Sequence, residues 1–154
     1  MGRLINYYRL TRAEQTLLVK AACLLAVMRM SLALIPLRAL RDALAWRRRK
    51  GSVAHGPAAP TLQQITWAIH SAARFVPGCT CLVQGLTALR LGISAGYPVT
   101  MNIGTTKEVN GELKAHAWVE YQGQIILGAA EGINYTPLLI WTKRGWRSAK
   151  ADQS

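Results

Sequence analysis

The chain has 154 residues, 51% of them hydrophobic, which suits a single domain with a sizeable core. Its formal net charge of +12 comes mostly from residues 1–50, which carry 11 Lys/Arg against 2 acidic residues. A basic block of this kind binds nucleic acid or anionic lipid, or forms a solvated face. Because the block lacks aromatic residues spaced for base stacking, it argues against nucleic acid as a partner.

Cysteine usage argues against a disulfide scaffold. Cys23, Cys79 and Cys81 are an odd number without zinc-type spacing, which indicates a reducing compartment such as the cytoplasm. Cys79-x-Cys81 together with His116 offers three soft metal ligands. Two cysteines so close at a helix start seldom converge on one ion, however, so we expect no metal and no cofactor.

A long helix is predicted near the N-terminus. Thr11 and Glu14 have the spacing of a capping box, and residues 17–35 are almost entirely apolar. Lys20 and Arg29 would lie on opposite sides of this helix, so neither face is cleanly polar. Three roles stay open: packing on its own domain, binding to a membrane surface or a partner, and crossing the membrane. No small-residue cleavage site follows, which disfavours a signal peptide.

The composition then changes twice before residue 61. A helical pattern resumes over residues 37–46 and ends in the basic cluster of residues 47–50. The next stretch is rich in Gly, Ser, Pro and Ala without periodicity, as in a linker. The sequence therefore predicts a helical N-terminal region (residues 1–50), a linker (residues 51–60) and a main domain (residues 61–154).

A second helix is predicted at the start of the main domain. Thr61 and Gln64 again have capping-box spacing. One helical face is apolar and consists of Leu62, Ile65, Ile69, Ala72 and Val76. His70 lies off that face, so we expect it at the surface rather than as a ligand.

The third predicted helix carries the first candidate functional residue. It spans residues 81–91, with Thr80 as its N-cap and Gly92 ending it. Cys81 then lies in the first turn, where unpaired backbone N–H groups favour a thiolate. The alternative is a small buried hydrophobe, which is what most free cysteines are.

Beyond Gly96 the hydrophobic period changes from 3.6 to 2, which indicates β-strands. The predicted order is a strand with Val99, Met101 and Ile103, a turn at Asn110-Gly111, a strand over residues 113–121, a turn at Gln122-Gly123, and strands over residues 124–127 and 135–141. His116 lies mid-strand, on the face that also carries Lys114, Trp118 and Glu120. The pattern alone leaves it as a structural histidine or as the partner of Cys81.

Two motifs carry a family resemblance. They are Val76-Pro-Gly-x-x-Cys81-Leu-x-Gln84-x-Leu86 and Ala115-His116-Ala117-Trp118-Val119-Glu120-x-x-Gly123, and they resemble the stand-alone leader peptidase of bacterial lasso-peptide biosynthesis. That family belongs to the transglutaminase-like, papain-related cysteine peptidases. The resemblance implies an α+β fold with a catalytic cysteine at a helix N-terminus packed on an antiparallel sheet, preceded by apolar and basic N-terminal helices.

The same resemblance implies roles and partners. Cys81 would be the nucleophile, His116 the general base, and the backbone N–H of Cys81 a donor to the oxyanion, while Cys79 takes no role. The substrate would be a precursor leader peptide, held by a separate leader-recognition protein, with a macrolactam synthetase closing the ring after cleavage. We expect a cytoplasmic protein whose N-terminal region contacts these partners or the inner membrane surface.

The third catalytic group departs from the family pattern. Relatives commonly place an aspartate on the strand after the histidine, and the corresponding residue is Gly128. Counting across the preceding turn pairs Gly128 with Ala117 and the next residue with His116, so neither supplies a side-chain oxygen. Glu131 is the nearest carboxylate. We hypothesise that Glu131, a backbone carbonyl or water orients His116.

Two functions of different classes therefore stand. One is a cysteine peptidase that removes a leader peptide. The other is a non-catalytic scaffold on the same fold that docks partners or the membrane, for which the absent aspartate is the argument. Acyl transfer to an amine, as in transglutaminases, is a minor enzymatic variant.

Overall fold

The computed structural model describes residues 10–36, 39, 59–107, 111–128, 135–142 and 145–148. Several predicted features lie outside these residues: the helical pattern over residues 37–46 apart from residue 39, the basic cluster 47–50, most of the linker, Asn110 of the first hairpin turn, and Glu131.

The described residues form an α+β fold, as the sequence predicted. The helices are α1 (Arg12–Leu34), α2 (Leu62–Ala73) and α3 (Cys81–Ser94). The strands are β1 (Thr100–Lys107), β2 (Leu113–Tyr121), β3 (Gln124–Leu127), β4 (Tyr135–Thr142) and β5 (Gly145–Ser148). They make one antiparallel sheet in the order β3-β2-β1-β4-β5. The edge strand β5 had not been predicted.

The helix starts follow the predicted capping residues. Thr11 accepts a hydrogen bond from the backbone N–H of Glu14, whose carboxylate accepts the N–H of Thr11 in return. Thr61 and Gln64 form the same reciprocal pair at the start of α2. Thr80 caps α3, as predicted. Each cap satisfies N–H groups that a helix leaves without partners, which fixes where the helix begins.

The predicted end of α3 was wrong. The helix continues through Gly92 to Ser94 and is capped by Ala95. Gly92 is buried against Val99, the residue before β1, and a Cβ there would come within 2.8 Å of one of its methyl groups. The glycine therefore permits close packing of α3 against the chain that enters β1 and does not end the helix.

Within the described residues, α3 packs against β1 and β2, and α1 and α2 pack against α3 and against each other, which encloses the core. The inward face of α1 contributes Leu17, Ala21, Leu25 and Met28, which pack with buried residues of α2 and α3. On the sheet, β1 and β2 contribute Met101, Ala117 and Val119, which share one face with Trp141 of β4. Three roles were left open for α1. Its inward face fits the first of them, packing on its own domain.

The outward face of α1 is apolar as well. Its exposed side chains include Val19, Val27, Met30 and Leu34, the last of them 77% exposed. Cys23 is also exposed on this helix. By length and composition alone α1 could cross a membrane, a property that it shares with core helices and signal sequences. The helix is compatible with a soluble protein and with peripheral membrane association.

Candidate active site

A pocket of about 340 Å³ lies where α2, α3, β2 and β3 meet. It is lined by His70, Cys81, Gln84, His116, Ala117, Ile125, Ile126, Leu127 and Gly128. The two residues singled out by the family motifs, Cys81 and His116, therefore lie in one pocket although 35 positions separate them in the chain. One wall is apolar, and the nitrogen- and sulfur-bearing side chains come from α2, α3 and β2.

Cys81 is the first residue of α3 and is half-buried. Its backbone N–H belongs to the first turn, whose N–H groups have no acceptor within the helix. Behind it, Gly85 packs against β1, where an added Cβ would meet the terminal methyl of Met101 at 3.0 Å. The small residue brings α3 close to the sheet. This packing holds the start of the helix, and with it Cys81, at the pocket.

His116 is held by a main-chain carbonyl. Its Nε2 lies 2.8 Å from the carbonyl oxygen of Gly128. A carbonyl only accepts hydrogen bonds, so the proton must be on Nε2. In the neutral imidazole the other nitrogen, Nδ1, is then the basic one. Of the three orienting groups that the sequence left open, a backbone carbonyl is the one that the structure shows, while Glu131 lies outside the described residues and stays a prediction.

A β-bulge brings that carbonyl to the histidine. The pairs Tyr121–Gln124 and Glu120–Ile125 have the predicted register, but Ile126 is then unpaired and Val119 pairs with Leu127. The predicted partner of Gly128, Ala117, is therefore wrong by one residue, because hydrophobic alternation does not reveal a bulge.

Gly128 adopts a conformation that few other residues tolerate. Its φ is +83°, and an added Cβ would come within 2.7 Å of the carbonyl oxygen of Ala117. A side chain is therefore strained here by the backbone angle and by crowding. The same conformation that offers the carbonyl to His116 leaves no room for the aspartate that the resemblance leads one to expect.

Trp118 and Glu120 support the histidine from the same face of β2. The Trp118 ring is 2% exposed, and its Nε1 donates to a carboxylate oxygen of Glu120 at 2.7 Å. The Trp118 and His116 rings are nearly parallel, 14° apart, with centroids 6.5 Å from each other. Alternate residues of the Ala115–Glu120 motif thus form one row in which a carboxylate fixes the indole and the indole flanks the imidazole.

The other cysteines differ from Cys81 in their surroundings. Cys23 is exposed on α1, away from the pocket lining. Burial raises the pKa of the Cys79 thiol, which lowers its thiolate fraction at neutral pH. Within the part of the chain that the structure describes, no three His, Cys, Asp or Glu side chains are grouped to hold a metal ion.

Two pocket residues were missed as site residues. His70 is solvent-exposed, as predicted, yet it also lines the pocket, because the C-terminal end of α2 lies beside β3. Gln84 appeared in the sequence only as part of a motif. It follows Cys81 by three positions, which places both side chains on one side of α3. That spacing was the available signal for Gln84, whereas no local pattern marks His70.

The comparisons with known proteins agree with this arrangement at the level of the superfamily. A family model described as the transglutaminase-like superfamily matches residues 19–140, which are 122 of the 154 residues. No curated protein matches the chain, and no solved structure does. The matched region runs from within α1 into β4 and contains the whole pocket lining. The chain belongs to the transglutaminase-like superfamily, which includes cysteine peptidases.

Proposed function

We propose that the protein is a cytoplasmic cysteine peptidase that removes the leader from a ribosomally made lasso-peptide precursor. It would work with a separate leader-recognition protein and a macrolactam synthetase. The observation that carries the peptidase activity is the shared pocket of Cys81 and His116, with Nε2 of the histidine bound to the Gly128 carbonyl. The lasso-peptide substrate and the two partners are supported by the resemblance of the two motifs.

The proposed reaction is acyl transfer to Cys81 and then to water. Nδ1 of His116 takes the thiol proton, and Sγ of Cys81 attacks the scissile carbonyl carbon, so that a C–S bond forms and the carbonyl π pair moves onto oxygen. When this intermediate collapses, the C–N bond breaks and the amine leaves with the proton from His116. Water then attacks the thioester carbon and gives one proton to His116. The C–S bond breaks, which releases the Cys81 thiolate and a carboxylic acid that ionises to the carboxylate in solution.

The alternative function is a non-catalytic scaffold on the same fold. The exposed apolar face of α1 is the observation that favours it, since such a face is typical of docking surfaces. The two proposals differ in what they require of Cys81, which only the peptidase uses covalently.

Substitution of the catalytic pair separates these functions. Cys81→Ala should abolish cleavage of a precursor peptide in a reaction reconstituted with both partners, and His116→Ala should lower it by about 10³-fold or more, as for other members of a catalytic unit. Cleavage is measured by mass spectrometry.

Thiol labelling gives a parallel test. A limiting thiol reagent should label Cys81 of the wild type ahead of Cys79, whose raised pKa slows its reaction, and His116→Ala should lower the labelling rate of Cys81 alone.

Cys23 is the internal control for that labelling, because it is exposed on α1 and is not one of the residues that line the pocket. Cleavage that survives Cys81→Ala would have to come from another component of the reaction. That result would contradict the peptidase role of this protein and favour the scaffold.

The Gly128 carbonyl gives a second prediction. Gly128→Ala should lower cleavage at least about tenfold, because strain and contact with Ala117 displace the acceptor that fixes the His116 tautomer. Gly123→Ala is the matched control. Gly123 has a similar φ of +80° but open space around an added Cβ, so this variant should lose some stability and keep its activity. Thermal unfolding of both variants accompanies the cleavage assay.

If Gly128→Ala retained full activity while Glu131→Gln lost it by orders of magnitude, the carboxylate would be the orienting group. That outcome would contradict the role that we assign to the carbonyl.

We propose further that the outward face of α1 binds an anionic membrane surface. Exposed Val19, Val27 and Met30 can enter the interfacial region, and the exposed cations Arg12 and Lys20 lie on or beside the same side of the helix. A basic side chain near anionic lipid contributes about 1 kcal/mol.

Co-sedimentation with phosphatidylglycerol-containing vesicles tests this proposal. Binding should be strong at low salt and fall as salt rises, because charge attraction is screened. Val27→Glu should weaken binding, whereas Gln63→Glu, which adds the same charge on the exposed surface of α2, should change it little. Failure of the wild type to bind at low salt would contradict the proposal.

A further inference from the structure

Gln84 lies in the pocket, and none of the proton transfers or bond changes proposed for Cys81 and His116 involves its side chain. It is one turn after Cys81 on α3 and is half-buried. Its Nε2 donates to the carbonyl oxygen of Cys79 at 3.4 Å. A long helical side chain lies over the turn that precedes it, so the amide is directed toward the start of α3.

The hydrogen bond to Cys79 determines which end of the amide faces the start of the helix. A carbonyl accepts and does not donate, so only the NH2 end of Gln84 satisfies it. The NH2 group has two hydrogens, and this bond uses one of them. The second N–H therefore lies at the N-terminal end of α3, where the backbone N–H of Cys81 also has no acceptor within the helix.

We propose that the side-chain amide of Gln84 is the second donor of the oxyanion hole, together with the backbone N–H of Cys81. This inference rests on the proposed function, because the oxyanion forms when Sγ of Cys81 adds to the substrate carbonyl. As the C–S bond forms, the π pair of the C=O group moves onto oxygen, and both N–H groups donate to that charge. The pair returns to the C=O bond when the leaving group departs.

A purely structural role for Gln84 predicts something different. If the amide served only to hold Cys79 and the start of α3, its loss would displace Cys81 and slow every reaction of that thiol. An oxyanion donor affects only reactions that pass through a tetrahedral intermediate. Comparing two reactions of Cys81 that differ in this respect separates the roles without knowledge of the natural substrate.

The experiment uses the 154-residue chain and two small probes. p-Nitrophenyl acetate acylates the thiol through a tetrahedral oxyanion and releases p-nitrophenolate, which is followed by absorbance. Chloroacetamide alkylates the same thiol by displacement of chloride and forms no oxyanion. The variant is Gln84→Met, which keeps the length of the side chain and removes its N–H groups. Gln63→Met, on the exposed surface of α2, is the matched control.

The proposal predicts that Gln84→Met slows acylation by about 10²-fold, which is the typical effect of losing one oxyanion donor. Alkylation of Cys81 should stay within about twofold of wild type, since its rate follows the thiolate and its access. Gln63→Met should leave both rates unchanged. Equal slowing of the two reactions, or no slowing of acylation, would overturn the role of Gln84.

Failure of the proposed function gives a distinct result. If Cys81→Ala released p-nitrophenolate as fast as the wild type, Cys81 would not be the nucleophile, and both inferences would fall. If Cys81→Ala is inactive while Gln84→Met acylates normally, the peptidase stands and only the second oxyanion donor is excluded.

Discussion

The site depends on one hydrogen bond, from Nε2 of His116 to the carbonyl oxygen of Gly128. It fixes the tautomer and the plane of the imidazole and leaves Nδ1 as the unprotonated nitrogen, which is the base in the proposed mechanism. A neutral acceptor does this with less stabilisation of the imidazolium than a carboxylate gives, since hydrogen bonds contribute roughly 1 kcal/mol when neutral and about 1.5–3 kcal/mol when one partner is charged. In the proposed mechanism the orientation of the imidazole is thus retained, but its protonated form is stabilised less than it would be beside a carboxylate.

The surrounding structure contributes at two further places. The buried Trp118 ring, fixed by Glu120, flanks the imidazole, and the first-turn N–H groups of α3 lie at the pocket, where they suit an anion such as the proposed oxyanion rather than an imidazolium. Close packing holds both elements in place, because Gly85 brings α3 against Met101. In the neighbouring strand β1, Gly104 pairs with His116, and a Cβ added to Gly104 would clash with the backbone of Thr136. Small residues therefore set the distances on which the site depends.

Much of this arrangement could be predicted from the sequence, because it follows from local rules. Capping residues located the starts of α1, α2 and α3, and alternation, apolar runs and turn residues located four of the five strands in the described part of the chain, with His116 mid-strand. The errors concern properties without a local pattern. Gly92 packs against the side chain of Val99 just before β1, the bulge at Ile126 shifts the register, and His70 reaches the pocket through the packing of α2.

The sequence left the group that orients His116 open among Glu131, a backbone carbonyl and water, for a related reason. Every residue has a main-chain carbonyl, so its use at Gly128 is visible only when φ and register are known. A sequence search for the missing carboxylate considers side chains only and cannot find a main-chain acceptor. The sequence therefore indicated, through the family resemblance, that the usual third residue was absent, and the backbone geometry showed a carbonyl bound to His116.

The most direct test of this account is the tautomer of His116, measured by 15N NMR on the Cys81→Ala protein at a pH where imidazoles are neutral. Removing the thiol prevents an ion pair from protonating both nitrogens, and comparison with a His116→Gln sample assigns the signal. The account predicts a proton on Nε2 and an unprotonated Nδ1. A proton on Nδ1 would contradict it, because the basic nitrogen would then face the Gly128 carbonyl.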